Sequence, residues 1–276
     1  MGSKKLGDAV VGRGWCAVGL AVLLAGCGAQ AGESEALPEG GFDYQLGEAY
    51  PPPEGATIVV RDSTAEPEPG IYSVCYVNGF QTQPGELDSW LDAGLVLLDG
   101  GGEPVADPGW PDEMLLDTST DDKRERIAGI LAETVDGCAE AGFDAVEFDN
   151  LDSYLRSRGA LSVDDNLALA GDLVASAHER GLAAAQKNAA EEAERGRDEA
   201  GFDFAVTESC AAWSECSVYT DAYGDDVLDI EYPEDLEEAG TTFEQVCSDP
   251  DLPSRTVLRD LGLVGPDQAD HVYARC

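Results

Sequence analysis

Short apolar runs alternate along the chain with longer stretches in which apolar residues recur every three or four positions. The short runs have the length of buried strands, and the longer stretches have the period of amphipathic helices. In residues 121–141, for example, Ile127, Leu131 and Val135 fall on one helical face. Gly142 stands where that helix would end and a strand begin. Strands and helices that alternate with short links predict a parallel α/β sheet.

The pattern predicts nine strands and six helices, one strand more than a (β/α)8 barrel uses, so at least one strand is expected to be accessory. No GxGxxG motif follows a strand, which disfavours a doubly wound dinucleotide-binding sheet. We therefore predict a single α/β domain with the (β/α)8 TIM-barrel fold. The predicted strands are Phe42–Leu46, Thr57–Arg61, Tyr72–Val77, Met114–Leu116, Ala145–Phe148, Ala183–Gln186, Phe204–Thr207, Val227–Glu231 and Thr256–Leu258. The predicted helices are Pro84–Ala93, Asp121–Ala141, Val163–Arg180, Ala189–Ala200, Ala212–Tyr223 and Pro233–Ala239.

The first residues predict export. A basic start, an apolar run and a small-residue site ending in cysteine follow one another: Lys4, Lys5 and Arg13, then Trp15–Leu24, then Leu24-Ala25-Gly26-Cys27. This order resembles a bacterial lipoprotein signal peptide at residues 1–26, whose removal leaves a lipid on Cys27. Residues 27–41 would be the lipidated Cys and a flexible tether, and 42–276 the barrel. A plain secretory signal or a short membrane anchor is the alternative, although the apolar run is short for a membrane span.

The chain is strongly acidic, with 16 basic residues, 56 acidic residues and a formal net charge of -40. Nucleic acid is therefore excluded as a partner, because phosphate binding needs cationic patches. The acidity fits either a solvated surface suited to high salt or attraction of a cationic substrate or envelope polymer. The acids are spread along the whole chain, which favours the first explanation, and the two are compatible.

Six cysteines remain after Cys16 of the signal and Cys27. An even number outside the cytosol predicts disulfides, although fifteen pairings are open. Cys210–Cys216 would close a short loop, and Cys247–Cys276 would hold the C-terminus. We expect no metal and no cofactor, because the chain has two histidines and no CxxC motif. The six cysteines are Cys75, Cys138, Cys210, Cys216, Cys247 and Cys276.

Acidic residues stand at the ends of two predicted strands. Glu147 and Asp149 lie on one face of the first strand, because strand side chains alternate. Glu208 follows the strand of residues 202–207. The carboxyl ends of barrel strands carry the catalytic residues in TIM-barrel enzymes. Two acids on two strand ends predict acid/base or nucleophilic chemistry on an acetal.

Seven motifs, in order over roughly residues 42–260, resemble glycoside hydrolase family 114, the endo-α-1,4-polygalactosaminidase-like TIM barrels. The most specific is Gly142 to Asp152, which is similar to Gly-x-Asp-Gly-Val-Glu-Pro-Asp-Asn-Val-Asp. The others are Tyr44-Gln45-Leu46, Val74-Cys75-Tyr76-Val77, Gly109-Trp110-Pro111 with Leu116-Asp117, Lys187-Asn188, Glu208-Ser209-Cys210 with Glu215-Cys216, and Glu231-Tyr232.

The resemblance implies endo-cleavage of an α-1,4-galactosamine-type polysaccharide by two carboxylates, Asp149 and Glu208. We assign Asp149 as the nucleophile and Glu208 as the acid/base of a retaining mechanism. An acid that keeps its proton near neutrality needs a raised pKa, from burial or from a nearby like charge. Glu147, Asp152 and Glu231 are the candidates for that like charge.

Further residues are candidates for binding substrate. Two roles are open for Lys187. It either forms a structural ion pair with a buried Glu147 or contacts the substrate directly. Asn150 and Asn188 would bond sugar hydroxyls or cap the next helix. Among aromatic rings that could stack on sugars, Trp110 is favoured because its neighbours place it in a loop. The full set is Glu147, Asn150, Asp152, Lys187, Asn188, Glu231, Tyr76, Trp110 and Tyr44.

Departures from the family pattern leave the catalytic pair intact. Phe148 replaces a Pro, Ser209 replaces a Gln, and Ala189 stands where an Asp often follows Lys-Asn. The leading hypothesis is therefore an exported, monomeric enzyme, held at the extracellular face of the membrane through Cys27, with a polysaccharide substrate. The alternatives are hydrolysis of another α-linked glycan, a catalytically inactive glycan-binding lipoprotein, and a structural envelope protein. Carboxylates placed far apart would favour the binding protein.

Overall fold

The computed structural model describes residues 1–3 and 37–276. Eight parallel strands pair in chain order to form the barrel, and a ninth pairs antiparallel with the eighth. This arrangement confirms the predicted α/β TIM barrel. The strands are β1 (Gly41–Gln45), β2 (Ala56–Asp62), β3 (Tyr72–Asn78), β4 (Ala145–Asp149), β5 (Ala183–Lys187), β6 (Phe204–Glu208), β7 (Val227–Glu231), β8 (Arg255–Arg259) and β9 (Tyr273–Arg275).

One predicted strand lies outside the barrel, as the excess over eight required. Met114–Leu116 forms isolated bridges with Gln81, Val96 and Ala106 in the long link between β3 and β4. The short C-terminal strand β9 has no counterpart among the predicted strands. Its three residues are too few to show a period.

Helices follow β3 to β7, and the described links after β1 and β2 contain none. Two predicted helices are broken. Residues 189–200 form a 3₁₀ turn, a short helix and a π turn, and the helix predicted at 212–223 is divided at Ser214, where φ is 62°. The helices are α1 (Leu87–Ala93), α2 (Asp121–Ala141), α3 (Ser153–Arg156), α4 (Val163–Glu179), α5 (Ala193–Arg195), α6 (Cys210–Trp213), α7 (Cys216–Tyr223), α8 (Pro233–Ala239) and α9 (Phe243–Val246).

Alternate residues of each strand pack into two separate cores. One core fills the barrel and includes Tyr44, Val206 and Ile230. The other lies between the sheet and the helices and includes Val146 and Phe148 of β4. Because the side-chain period of a strand is two, each polar residue on a strand is committed to one of these environments.

A buried ion pair closes the barrel where β8 lies beside β1. Arg259 of β8 donates to Asp43 of β1 at 2.7 Å and also to the backbone carbonyl of Tyr44. Both side chains of the ion pair are fully buried. The hydroxyl of Tyr273 on β9 donates to the carbonyl of Phe42 at 3.0 Å, so the last strand covers this seam.

Leu37, which precedes the predicted barrel boundary at residue 42, packs in the barrel core. Leu37 is buried in the barrel core, its backbone N–H donates to Asp226 at 2.9 Å, and its carbonyl accepts from Arg255. The end of the predicted tether is therefore part of the fold. The predicted signal peptide and Cys27 lie outside the described residues. No helix in the described part of the chain has the length and apolar character needed to cross a membrane.

Three disulfides join the six remaining cysteines. Cys210–Cys216 and Cys247–Cys276 confirm the two predicted pairings. Cys75–Cys138 ties β3 to α2 across a separation of 63 residues. Three disulfides in one domain fit a protein that folds outside the reducing cytosol.

Candidate active site

Four charged side chains, which we call the lysine cluster, meet inside the barrel at the ends of β4, β5 and β6. The ammonium of Lys187 lies 3.0 Å from Glu208 Oε2 and 3.5 Å from both Asp149 Oδ1 and Glu147 Oε1. Lys187 and Glu147 are buried, whereas the side chains of Asp149 and Glu208 are 17% and 30% exposed. Burial lowers the pKa of Lys187, but the three carboxylates outweigh it and raise that pKa well above its ordinary value.

A residue with a left-handed backbone follows each of these three strands. Asn150, Asn188 and Ser209 have φ angles of 70°, 48° and 60°. Asparagine enters this region more readily than most residues, and such conformations gather at functional sites. Each one turns the chain away directly after a charged residue, so that the charged side chain stays directed into the mouth of the barrel.

Both carboxylate oxygens of Asp149 are held by hydrogen bonds. The Tyr76 hydroxyl donates to Oδ2 at 2.7 Å, and the backbone N–H of Asn150 donates to Oδ1 at 2.8 Å. Lys187 lies on the Oδ1 side. Because three donors surround one carboxylate, Asp149 is held in a single orientation.

Glu208 is held from two neighbouring strands. Asn188 donates to Oε2 at 3.3 Å and accepts from the Glu208 backbone N–H at 2.8 Å, while the Tyr232 hydroxyl donates to Oε1. Burial raises the pKa of Glu208, but Lys187 and these hydrogen bonds outweigh it, so the pKa lies below its ordinary value. This direction is opposite to the one expected for an acid/base residue. Lys187 is the cation that reverses it.

Glu147 lies one layer deeper on β4 and is fully buried. Its Oε1 accepts from the Tyr44 hydroxyl at 2.8 Å and faces Lys187, which confirms the ion pair expected from the sequence. Its Oε2 has no hydrogen-bond partner among the residues that the structure describes. Burial raises the pKa of Glu147 to about 7, although the charge of Lys187 opposes the rise.

The shared contact with Lys187 limits the separation of Asp149 and Glu208. Their contacts with the ammonium are 3.5 Å and 3.0 Å, so the two nearest oxygens can be no farther apart than the sum of these distances. That limit, about 6.5 Å, admits the spacing of a retaining pair at roughly 5–5.5 Å and lies below most of the inverting range. The two carboxylates are therefore close together. An inactive binding protein would predict a larger separation.

Arg156 neutralises one side of the rim. It contacts Asp152 at 2.9 Å and Asp107 at 2.7 Å, and it donates to Asn150 Oδ1 at 3.0 Å. Asp152 and Asn150, both predicted to bind substrate, are thus held by one guanidinium beside Asp149. The side chain of Arg156 is 22% exposed, so this network borders the open cleft.

Glu113 is a rim carboxylate that no sequence motif indicated. It accepts from the Asn78 side chain at 2.9 Å, and Asn78 pairs in register with Asp149. Across residues 37–276 no Lys, Arg or His forms an ion pair with it. Burial raises the pKa of Glu113 to about 7, and the charge of Asp149 adds to the rise. Its backbone N–H donates to the carbonyl of Trp110, whose ring is 60% exposed.

One group in the described part of the chain has its His, Cys, Asp or Glu ligand atoms close enough to hold a metal ion. It consists of Cys210, Cys216, Asp229 and Glu231. The two sulfurs are joined in a disulfide, so they are not available as thiolate ligands. Two carboxylates remain, which is a poor donor set for a metal.

The sequence profile of Glycoside-hydrolase family GH114 matches residues 27–276. The chain belongs to this family. It is therefore a glycoside hydrolase by family, and its barrel carries two carboxylates on strand ends where such enzymes act. No curated protein sequence matches the chain.

Two solved structures share the fold. Aspergillus fumigatus Ega3, solved in complex with galactosamine, is 22% identical, with a TM-score of 0.69 over 90% of this chain and 98% of that one. The glycoside hydrolase domain of PelA from Pseudomonas aeruginosa is 16% identical, with a TM-score of 0.53 over 84% of this chain and 97% of that one.

Two residues predicted to bind substrate in this GH114 chain are enclosed instead. Tyr44 is fully buried and offers no ring face to a sugar, so its prediction as a stacking residue is wrong; its hydroxyl bonds Glu147. Glu231 is also fully buried and points out of the barrel, where it accepts from the backbone N–H of Ala211. It therefore supplies no like charge within the lysine cluster.

Other predicted residues contact Asp149 and Glu208. Tyr76 donates to Asp149, and Asn188 uses both of its polar atoms on Glu208 rather than capping a helix. Trp110 remains a candidate for stacking because it is exposed beside the cleft. Tyr232 was not among the predicted site residues. Strand alternation could have found it, because Leu228 and Ile230 place Tyr232, not Glu231, on the inner face.

Proposed function

We propose that this protein is an endo-acting, retaining hydrolase of α-1,4-linked galactosamine polymers, with Asp149 as nucleophile and Glu208 as acid/base. The observation that carries the proposal is the contact of both carboxylates with Lys187, which limits their separation at the barrel mouth. Membership of GH114 supports the reaction class. The galactosamine named with Ega3 supports the choice of sugar.

In the first step, Asp149 attacks the anomeric carbon while Glu208 gives its proton to the departing glycosidic oxygen. In the second step, ionised Glu208 takes a proton from water, and the water oxygen displaces Asp149 from the sugar. Tyr76 and Lys187 orient the Asp149 carboxylate for attack. Glu208 is the more exposed of the two, which allows it to exchange protons with solvent between steps.

The pKa of Glu208 determines the expected pH dependence. Because that pKa is below its ordinary value in the empty cleft, only a small fraction of Glu208 holds a proton at pH 7. The first step needs the protonated form. We therefore expect kcat/KM to rise as the pH falls below neutrality.

Glu113 and Trp110 are proposed to recognise the amino sugar. Glu113 is a half-buried carboxylate whose only described side-chain partner is the neutral amide of Asn78. An ammonium group on the substrate would provide the missing positive charge and favour the ionised form of Glu113. The exposed ring of Trp110 lies on the same turn and would stack on the sugar. A free amine is therefore expected to bind better than an acetamide.

The proposal is tested by product release from partly and fully acetylated α-1,4-galactosamine polymer, using residues 28–276. Asp149→Asn and Glu208→Gln are expected to lower kcat by about 10²–10⁴. Glu113→Gln should reduce the preference for the free amine about tenfold, whereas Asp112→Asn on the same turn should not. Full activity in Glu208→Gln would overturn the assignment. Binding without cleavage by the wild type would favour the glycan-binding alternative.

We also propose that the protein is exported and anchored through a lipid on Cys27. The order of basic, apolar and small residues before Cys27 supports this proposal. The three disulfides fit the oxidising side of a membrane.

A further inference from the structure

Two acids of β7 face away from the lysine cluster and are used by no step of the proposed reaction. Leu228 and Ile230 of β7 point into the barrel. Asp229 lies between them and Glu231 follows Ile230, so both acids point outward, toward α6. We call Asp229 and Glu231 the outer pair. Both residues are fully buried. A buried carboxylate needs a compensating partner, because the loss of water disfavours its charge.

Each member of the outer pair uses one oxygen and leaves the other unbonded. Asp229 Oδ1 accepts from the Thr207 hydroxyl at 2.9 Å and from the backbone N–H of Cys210 at 3.4 Å. Glu231 Oε1 accepts from the backbone N–H of Ala211 at 2.7 Å. Asp229 Oδ2 and Glu231 Oε2 accept no hydrogen bond from any other described residue. The two carboxylates lie within 4.8 Å of each other.

No positive charge balances the outer pair. Across residues 37–276, no Lys, Arg or His forms an ion pair with Asp229 or Glu231. The groups packed around them are neutral: Thr207 on β6, Thr256 on β8, the backbone amides of α6 and the Cys210–Cys216 disulfide. Further acidic residues lie around this segment. Asp235 of α8 accepts from Ser209, and Asp249 and Asp251 line a pocket beside the disulfide.

A proton is the remaining way to neutralise one of the two carboxylates. Burial raises the pKa of Asp229 to about 6. Burial, followed by the charge of Asp229, raises the pKa of Glu231 to about 8. Such a pair titrates as a unit, so near neutral pH it holds one proton.

We propose that Asp229 and Glu231 share one proton and that the protonated pair positions Glu208 for catalysis. The pair holds the side chain of Thr207 and the backbone of Cys210 and Ala211, which lie on both sides of Glu208 in the chain. Tyr232, the next residue after Glu231, donates to Glu208 from the inner face. Asp229 and Glu231 are positioning residues, and the role of Glu208 rests on the proposed function.

Loss of the shared proton would place two like charges side by side in a dry site. Repulsion would then separate the carboxylates and release the segment after Glu208. The pKa of Glu231 is raised in the folded state. Its contribution to stability is therefore fully present when the pH is below the ordinary pKa of a glutamate. That contribution is lost as the pH rises toward about 8. We therefore expect an additional fall in wild-type kcat/KM and Tm as the pH rises through about 8.

The test compares Glu231→Gln with wild type across pH 5 to about 10. The amide can accept from Ala211 and donate to Asp229, so it replaces the shared proton permanently. We expect kcat/KM within about twofold of wild type at pH 6. The additional fall near pH 8 in both kcat/KM and Tm should be lost, whereas the falls caused by Glu208 and Glu147 should remain. Asp229→Asn is a second isosteric variant and should behave in the same way.

Asp235→Asn is the matched control, because it removes a carboxylate that bonds Ser209 on the same segment. It should keep the alkaline decline. An unchanged alkaline decline in both Glu231→Gln and Asp229→Asn would overturn the proposal, as would the absence of any decline in wild type. The Tm series needs no substrate. It therefore tests the shared proton even if the galactosamine polymer is not cleaved and the proposed function fails.

Discussion

The lysine cluster and the outer pair lie on neighbouring strands, and both crowd buried acids together. The lysine cluster has a cation, which contacts Asp149 and Glu208 at the mouth of the barrel and lowers the pKa of Glu208. The outer pair has no cation, and burial pushes the pKa values of both acids upward. The difference is which face of the strand each acid occupies. The inner face pairs its carboxylates with a cation, and the outer face uses carboxylates as hydrogen-bonding groups.

The two groups also respond differently to solvent. Asp229 and Glu231 are fully enclosed, whereas Glu208 is 30% exposed and Asp149 is 17% exposed. A charge that is partly open to water costs less than one that is fully buried. Asp149 and Glu208 therefore keep a path to solvent, whereas the buried Glu147 below them depends on Lys187 and the Tyr44 hydroxyl.

Removal of the cation is expected to have the largest effect. Lys187→Met leaves three carboxylates together without a positive charge. The outer pair likewise consists of carboxylates without a cation. We expect a loss of about 3–5 kcal/mol in the free energy of unfolding. Activity should fall with it, because Asp149 loses a donor that orients its carboxylate. Urea denaturation and product release measure the two effects.

Lys123 provides the matched control for that variant. It forms an ion pair with Asp117, but its side chain is 29% exposed. Lys123→Met is expected to cost about 1 kcal/mol or less, because surface pairs contribute little. Equal losses from the two substitutions would contradict the central role of Lys187.

Strand alternation and the family motifs predicted most of the lysine cluster. They placed Glu147 and Asp149 on one face, and the need of a buried acid for a partner indicated Lys187. The same alternation, applied to β7, would have excluded Glu231 from the cleft and included Tyr232. Glu113 could not be predicted in this way. It lies in an irregular loop, and only the fold brings that loop beside Asp149.

Glu147→Gln tests whether the innermost acid of the lysine cluster has a pH-dependent effect on stability, as the outer pair does. Its pKa is about 7, above its ordinary value, so its contribution to stability is lost as the pH rises toward 7. The glutamine variant has no such loss. Between pH 4 and pH 8, we expect the unfolding free energy of the wild type to fall by about 2–3 kcal/mol relative to that of the variant. A pH-independent difference would show that Lys187 keeps Glu147 ionised throughout.

Tyr232→Phe is expected to have the smallest effect, and it separates the hydrogen bond on Glu208 from the charge of Lys187. The substitution removes the hydroxyl that donates to Glu208 and leaves the ring in the barrel core. We expect a loss of about 1 kcal/mol in stability. Because that hydrogen bond helps to lower the pKa of Glu208, the pH of maximal kcat/KM should move upward. An unchanged pH profile would assign the lowered pKa to Lys187 and Asn188, and the lysine cluster would then differ from the outer pair through its cation more than through its hydroxyl donors.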